Sequence, residues 1–173
     1  TNTAQFGSTT LTSKGGKDCF ISKVSNSGSL LWTAQIGGTL TDWGNEVLAL
    51  ADGTSIVAGV FQGLISFGAS KQMQSLSGSG SYDMFIAKYD ATGNLLWASQ
   101  AGGVGGSIAE PNSPAGTSSI GLSLNASDNS ILVSGSFSGT ESFGSTNITS
   151  AGGYDGFIAR LMSDGTWGGR KRS

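Results

Sequence analysis

One short segment occurs three times along this chain, and that repetition constrains the fold more than any other feature. Lys17-Asp18-Cys19-Phe20-Ile21-Ser22-Lys23, Tyr82-Asp83-Met84-Phe85-Ile86-Ala87-Lys88 and Tyr154-Asp155-Gly156-Phe157-Ile158-Ala159-Arg160 share the pattern D-x-F-I-[SA]-[KR]. In the first two copies a turn and a second apolar run follow, Ser25 to Trp32 and Asp90 to Trp97, whereas the third shortens to Ser163-Asp164-Gly165-Thr166-Trp167. A second block, Asp52 to Gly68, matches Asp128 to Gly144 at a constant offset of 76, and Phe6-Gly7 reads as the tail of a third copy. A unit that recurs this way cannot bury its apolar faces alone and must stack on its neighbours.

The recurring aspartates are 65 and then 72 residues apart, longer than the roughly 40 to 50 residues of a common propeller blade. Register between copies localises the excess to Lys71–Ser81 and to the stretch around Gly102–Ser119. Within a unit, β-rich runs at Glu46–Ala51, Ser55–Phe61, Met84–Tyr89 and Asn94–Gln100 are separated by turns such as Asp52-Gly53 and Gly93-Asn94. No stretch sustains a 3.6-residue period over ten or more residues. The expected fold is all-β, made of four-stranded antiparallel β-propeller blades.

The string from Gly59 to Gly103, with its G-x-F-x-G, F-G and D-M-F-I-A-K-Y-D-A-T-G-N-L-L-W-A elements, resembles the SBBP-type β-propeller repeat. That resemblance covers nearly the whole chain and implies a scaffold, often an adhesive one, in large bacterial and other extracellular or surface proteins. It brings no catalytic motif. The expected layout is a partial blade at 1–38, a full blade at 44–103, an insertion loop at 104–118, a full blade at 119–167 and a basic tail at 168–173, read as a dibasic processing site, a linker or a solvated tail. That is ten strands, or about two and a half blades, against the 4 to 8 of a closed propeller. Either the chain is part of a longer polypeptide, or copies assemble, or the blades form an open array with strand edges available for self-association.

Chemistry is sparse. Histidine is absent and the one cysteine, Cys19, has no intrachain disulfide partner, which removes His-dependent catalysis and the common His-containing zinc sites. Nine Lys and Arg against eleven Asp and Glu give no positive field, so nucleic acid is not an expected partner, and no apolar run reaches the roughly 18 residues of a membrane span. Asp18, Asp83 and Asp155 read as turn residues satisfying local N–H groups, and Asp90 to Asn94 lacks the ligand alternation of a calcium loop. No metal and no cofactor are expected.

Trp32, Trp97 and Trp167 are expected at equivalent strand positions between packed blades. Trp43, beside Asp42 and Asn45, has no counterpart in the other repeats and is the candidate contact residue. Glu110 and Asn112, with Pro111 and Pro114, mark the inserted loop as the second candidate. Asn125-Ala126-Ser127 and Asn147-Ile148-Thr149 are N-glycosylation acceptors. These features together predict a non-enzymatic structural or adhesive module of an extracellular surface or filamentous assembly, its partners being itself or other structural proteins through blade edges. The alternative is a carbohydrate-binding, lectin-like propeller completed by oligomerisation, with glycans as ligands.

Overall fold

The computed structural model of the chain describes residues 2–77, 80–108 and 120–168. They form sixteen strands in four sheets, every pairing is antiparallel, and no helix occurs among the described residues. The first sheet is the hairpin β1 (Thr3–Phe6) and β2 (Thr9–Thr12). The second has the order β3 (Cys19–Val24), β4 (Leu30–Gly38), β7 (Leu64–Phe67), β8 (Lys71–Gln74). The third runs β5 (Trp43–Ala49), β6 (Ser55–Phe61), β9 (Asp83–Tyr89), β10 (Leu95–Gly102), β14 (Thr140–Phe143), β15 (Thr146–Thr149). The fourth holds β12 (Gly121–Asn125), β13 (Ser130–Ser138) and β16 (Asp155–Leu161), with β11 (Ser107–Ile108) also on β13.

The four strands expected for the middle unit are present as β5, β6, β9 and β10, but each unit also carries a hairpin that leaves it. β6 and β9 pair along their length, from Ser55↔Tyr89 to Phe61↔Asp83. The chain between them forms β7–β8, which crosses to the second sheet and pairs with β4 through Ile36↔Phe67, Gly37↔Ser66 and Gly38↔Ile65. The next unit repeats the exchange: β13 pairs β16, while β14–β15 joins the third sheet through Ala101↔Phe143 and Gly102↔Ser142. Hence there are sixteen strands where ten were expected, and Lys71–Gln74 is a strand where the Lys71–Ser81 stretch was read as loop. These hairpins are only four residues per strand and lie beside the F-G turn, so in sequence they look like connections.

Glycine makes the crossing possible. A Cβ on Gly38 would lie 1.8 Å from the Leu64 carbonyl oxygen, and one on Gly103 would lie 2.0 Å from that of Thr140. The Gly-Gly pairs that close β4 and β10 are where the visiting backbone approaches too closely for any side chain.

Strand periodicity then sorts the core into two layers. Ile56, Ala58, Val60, Met84 and Ile86 face the fourth sheet, where they meet Ile131, Val133, Phe137, Phe157 and Leu161. Val57, Phe61, Phe85, Ala87 and Tyr89 face the second sheet, meeting Cys19, Ile21, Ile36, Ile65 and Phe67. The third sheet is therefore covered on both sides, which explains why β6 reads as an unbroken apolar run and is buried throughout.

A tryptophan latches each unit to the next. Trp32 Nε1 donates to the Ala91 carbonyl and Trp97 Nε1 to the Ser163 carbonyl, both at 3.0 Å. The rings lie over Gly93 (φ 90) and Gly165 (φ 85), where a Cβ would come within 2.8 Å of the indole. Trp167 does not occupy the equivalent place. It pairs with Leu161, the register held by Leu95 opposite Tyr89, because the shortened turn brings it two residues early. Its ring turns inward onto Phe143 at 5.1 Å and its Nε1 donates to the Gln100 carbonyl at 2.8 Å.

The matching turn of the first unit, at Gly28 (φ 82), carries no ring, and a Cβ there meets nothing within 4 Å. Gly28→Ala and Gly93→Ala thus share the left-handed backbone penalty of roughly 1–2 kcal/mol, but only Gly93→Ala also displaces an indole. Thermal melts should show a clearly larger drop in Tm for Gly93→Ala, and equal drops would rule out the latch.

Candidate functional site

A pocket beside the first hairpin holds two of the residues singled out from sequence. It has a volume of about 390 Å³, and its lining includes Asn2, Lys17, Asp18, Gln35, Asp42 and Trp43. Asp42 is buried in the loop after β4, where it accepts a hydrogen bond from the Gly38 N–H at 2.7 Å. Burial, with the Asp18 carboxylate a smaller contributor, pushes its pKa up to about 6 against the lowering effect of the Gly38 hydrogen bond. Trp43 opens β5 and is half-buried; Lys17 Nζ sits 4.0 Å from the centroid of its ring. That cation occupies one indole face. Asn45 lies at the bulge between Gly44 and Glu46, outside the pocket lining.

Cys19 is buried at the rim of the same pocket, its thiol pushed up to about 12 by burial and then by the Asp42 and Asp18 carboxylates. A group so held is not a nucleophile at neutral pH.

The recurring aspartates are turn anchors. Asp18 accepts from the Lys14 N–H at 2.9 Å and from Gln35 Nε2 at 2.6 Å. Asp83 accepts from the Leu76 N–H at 2.7 Å, from Ser77, and from Gln100 Nε2 at 2.5 Å. Asp155 accepts from the Ala151 N–H at 2.7 Å. Gln35 and Gln100 also donate to the Thr12 and Gln74 carbonyls, at 2.8 and 3.0 Å, so each ties the end of a hairpin to the fourth strand of its own unit. The Asp90 turn closes on itself in the same way. Asn94 Nδ2, the Asn94 N–H and Thr92 all donate to Asp90, holding its carboxyl well below the usual range.

Glu141 is the residue that sequence reasoning missed. It lies on β14, fully buried, with neither carboxylate oxygen hydrogen-bonded among the described residues. Burial, then the nearby Asp83 carboxylate, raises its pKa to about 8. A signal was available: the 76-residue offset aligns Glu141 with Ile65, so an acid stands at an apolar register position. Among the described residues no three His, Cys, Asp or Glu side chains gather as metal ligands.

Residues 126–166 match a family described as "Domain of unknown function (DUF5122) beta-propeller". The match spans β13, the exchanged hairpin β14–β15, β16 and the turn that follows, and leaves out the first strand of that unit, β12. A propeller-repeat family is thereby supported for this chain. A curated relative, "Regulatory protein FlaEY" of Caulobacter vibrioides, is 26% identical over 152 residues, covering 88% of this chain. The chain spans 15% of that relative's length.

The remaining residues chosen from sequence are dispersed. Glu110 and Asn112 lie outside the described residues. Asn125 ends β12, its side-chain oxygen accepting from the Ser127 N–H at 3.1 Å and hydroxyl at 2.8 Å. Asn147 is exposed on β15 and accepts from the Ser142 hydroxyl at 2.8 Å.

Two measurements test these environments. The folded state holds the Glu141 proton up to about pH 8, against an ordinary value of 4.5 in the unfolded chain. Stability from this group is therefore full below pH 4.5 and is lost as pH rises through 8. Glu141→Gln should raise Tm over wild type at pH 9 and change it little at pH 4; an equal effect at both pH values refutes the assignment. Cys19 should resist alkylation at pH 8 in the folded protein and react promptly after denaturation, as followed by mass spectrometry.

Proposed function

We propose that this chain is a non-enzymatic structural or adhesive module of the SBBP type, working through protein–protein contacts at a cell surface or in a filamentous assembly. The observation that carries this reading is the distribution of apolar surface. The outermost sheets leave Phe20, Val24, Leu31, Leu132 and Ile158 in solvent, and Val47 and Leu96 of the third sheet are exposed as well. Exposed apolar side chains in such number are contact surface. The recurring Asp18, Asp83 and Asp155 act instead as turn anchors. The relative is named a regulatory protein, and a contact module is a part such a protein could use. Glycans at Asn125 or Asn147 would add solubility to a chain with few charges.

A glycan-binding role is the second reading, favoured by the pocket that holds Trp43, Asp42, Asp18 and Gln35. For a sugar to stack on the indole face now facing Lys17, that ammonium must first move away. Glycan-array binding lost in Trp43→Ala would favour this reading over the first.

An antibody against this segment should label intact source cells without permeabilisation, and cross-linking those cells should shift the labelled band to higher mass. Labelling only after permeabilisation refutes the location; an unshifted band refutes the contact role.

A further inference from the structure

We propose that the junction between the third and fourth sheets holds a calcium ion, ligated by Glu141 beside Asp83. Both side chains are fully buried, so the site stands apart from any contact surface.

Two carboxyl groups gather at the Gly-Gly pair of each junction. The first is the recurring aspartate, Asp18 against Gly37 and Asp83 against Gly102. The second arrives from opposite sides of the contact. Where the second and third sheets meet it is Asp42, in the loop after β4, bonded to the Gly38 N–H. Where the third and fourth sheets meet it is Glu141, on the visiting hairpin, with its Cα facing Gly103. The places left over carry isoleucine. Ile65 stands at the register of Glu141, 76 residues earlier. Ile108 stands at that of Asp42, since each donates its N–H to the carbonyl of the residue before a recurring aspartate, Tyr82 and Lys17. One acid beside the aspartate is thus kept at both junctions while its position in the chain changes.

Only the Asp18–Asp42 pair has a counter-charge in its own loop. Lys14, whose N–H donates to Asp18, sends its ammonium to the Ser66 hydroxyl and favours the ionised form of Asp42. At the other junction Leu76 makes the same N–H bond to Asp83, and Ser75 to Tyr82 contains no lysine or arginine. Glu141 is 0% exposed, neither of its oxygens has a hydrogen-bond partner, and the charge acting on it is the like charge of Asp83. A buried carboxyl in that state takes up either a proton or a cation.

The donors suit calcium. A Cβ on Gly106 would collide with Glu141 Oε1 and lie 2.8 Å from the Ser138 carbonyl oxygen, so a carboxylate and a carbonyl converge on one bare Cα. Gly106 does not adopt a left-handed backbone, so space rather than conformation calls for glycine there. Oxygen donors in an irregular arrangement fit calcium, whereas magnesium demands a near-octahedral shell. Asp83 is already engaged by Leu76, Ser77 and Gln100 and contributes charge rather than a further bond. The adjoining Val104 and Gly105 are exposed, which leaves the site one turn from solvent. With one carboxylate as direct ligand the Kd should be on the order of 10⁻⁴ to 10⁻³ M. In the cation-free chain a proton takes the place, and calcium must displace it.

Calorimetric titration and thermal melts at pH 7 on the full chain, stripped with EGTA, test this. Calcium at about 10 mM should bind one ion per chain and raise Tm by about 3–5 °C. The heat of binding should vary with the ionisation enthalpy of the buffer, because a proton leaves. Glu141→Gln, which keeps the shape and removes the charge, should lose the rise in Tm. Leu76→Lys, which places a lysine where Lys14 stands at the other junction, should lose most of it. No binding heat and no rise at that concentration overturns the proposal, as does a rise kept in Glu141→Gln or undiminished in Leu76→Lys, or an equal rise with magnesium. If Glu141→Gln fails to fold, Glu141→Ile, the residue of the other junction at this register, takes its place.

Discussion

Everything in this architecture depends on one backbone event, the crossing of the β7–β8 and β14–β15 hairpins, each onto the sheet of the unit before it. Three residue pairs at the end of β4, and two at the end of β10, join consecutive sheets by main-chain hydrogen bonds. Those bonds need the visiting strand to come within contact distance of a bare Cα, which the Gly-Gly pairs supply. The same glycines lie against the recurring aspartates: a Cβ on Gly37 or Gly102 would collide with the carboxyl of Asp18 or Asp83. Aspartate, glutamine and glycine therefore form one device, the carboxylate ordering the loop after the hairpin and the glutamine tying that hairpin to the fourth strand.

The crossing also determines how the cores form. With hairpins exchanged, neighbouring sheets are held face to face, and the strand alternation that would give an isolated sheet one wet side instead gives the middle sheet two dry ones. Stacking is then reinforced from outside the core by the tryptophan of one unit resting on the glycine turn of the next. At the third unit this reinforcement is absent, because Trp167 arrives two residues early and fills space beside Phe143. The shortened turn thus changes a latch into a core residue.

The groups whose pKa values depart upward, Asp42, Glu141, Cys19 and Tyr89, do so through burial first. Of these, Glu141 has the plainest cost, a carboxyl enclosed at an apolar register position beside Gly106. Its place on the crossing hairpin links protonation to the contact between two units.

The sequence alone determined the longer strands, the tight turns and their periodicity. Asp-Gly and Gly-Asn dipeptides specify turns, alternating apolar residues specify strands, and recurrence of D-x-F-I specifies equivalent strands, all by local steric and burial rules. The recurring aspartates could be read as turn anchors for the same reason. What the tertiary structure decided was which sheet each hairpin joins, since main-chain hydrogen bonds carry no side-chain identity and a four-residue strand has the composition of a loop. It also decided the register of Trp167, which depends on pairing with Leu161 rather than on chain spacing. The pocket, likewise, brings Asp42 and Trp43 together with Lys17, Asp18 and Gln35 from two other segments, and no local pattern records that meeting.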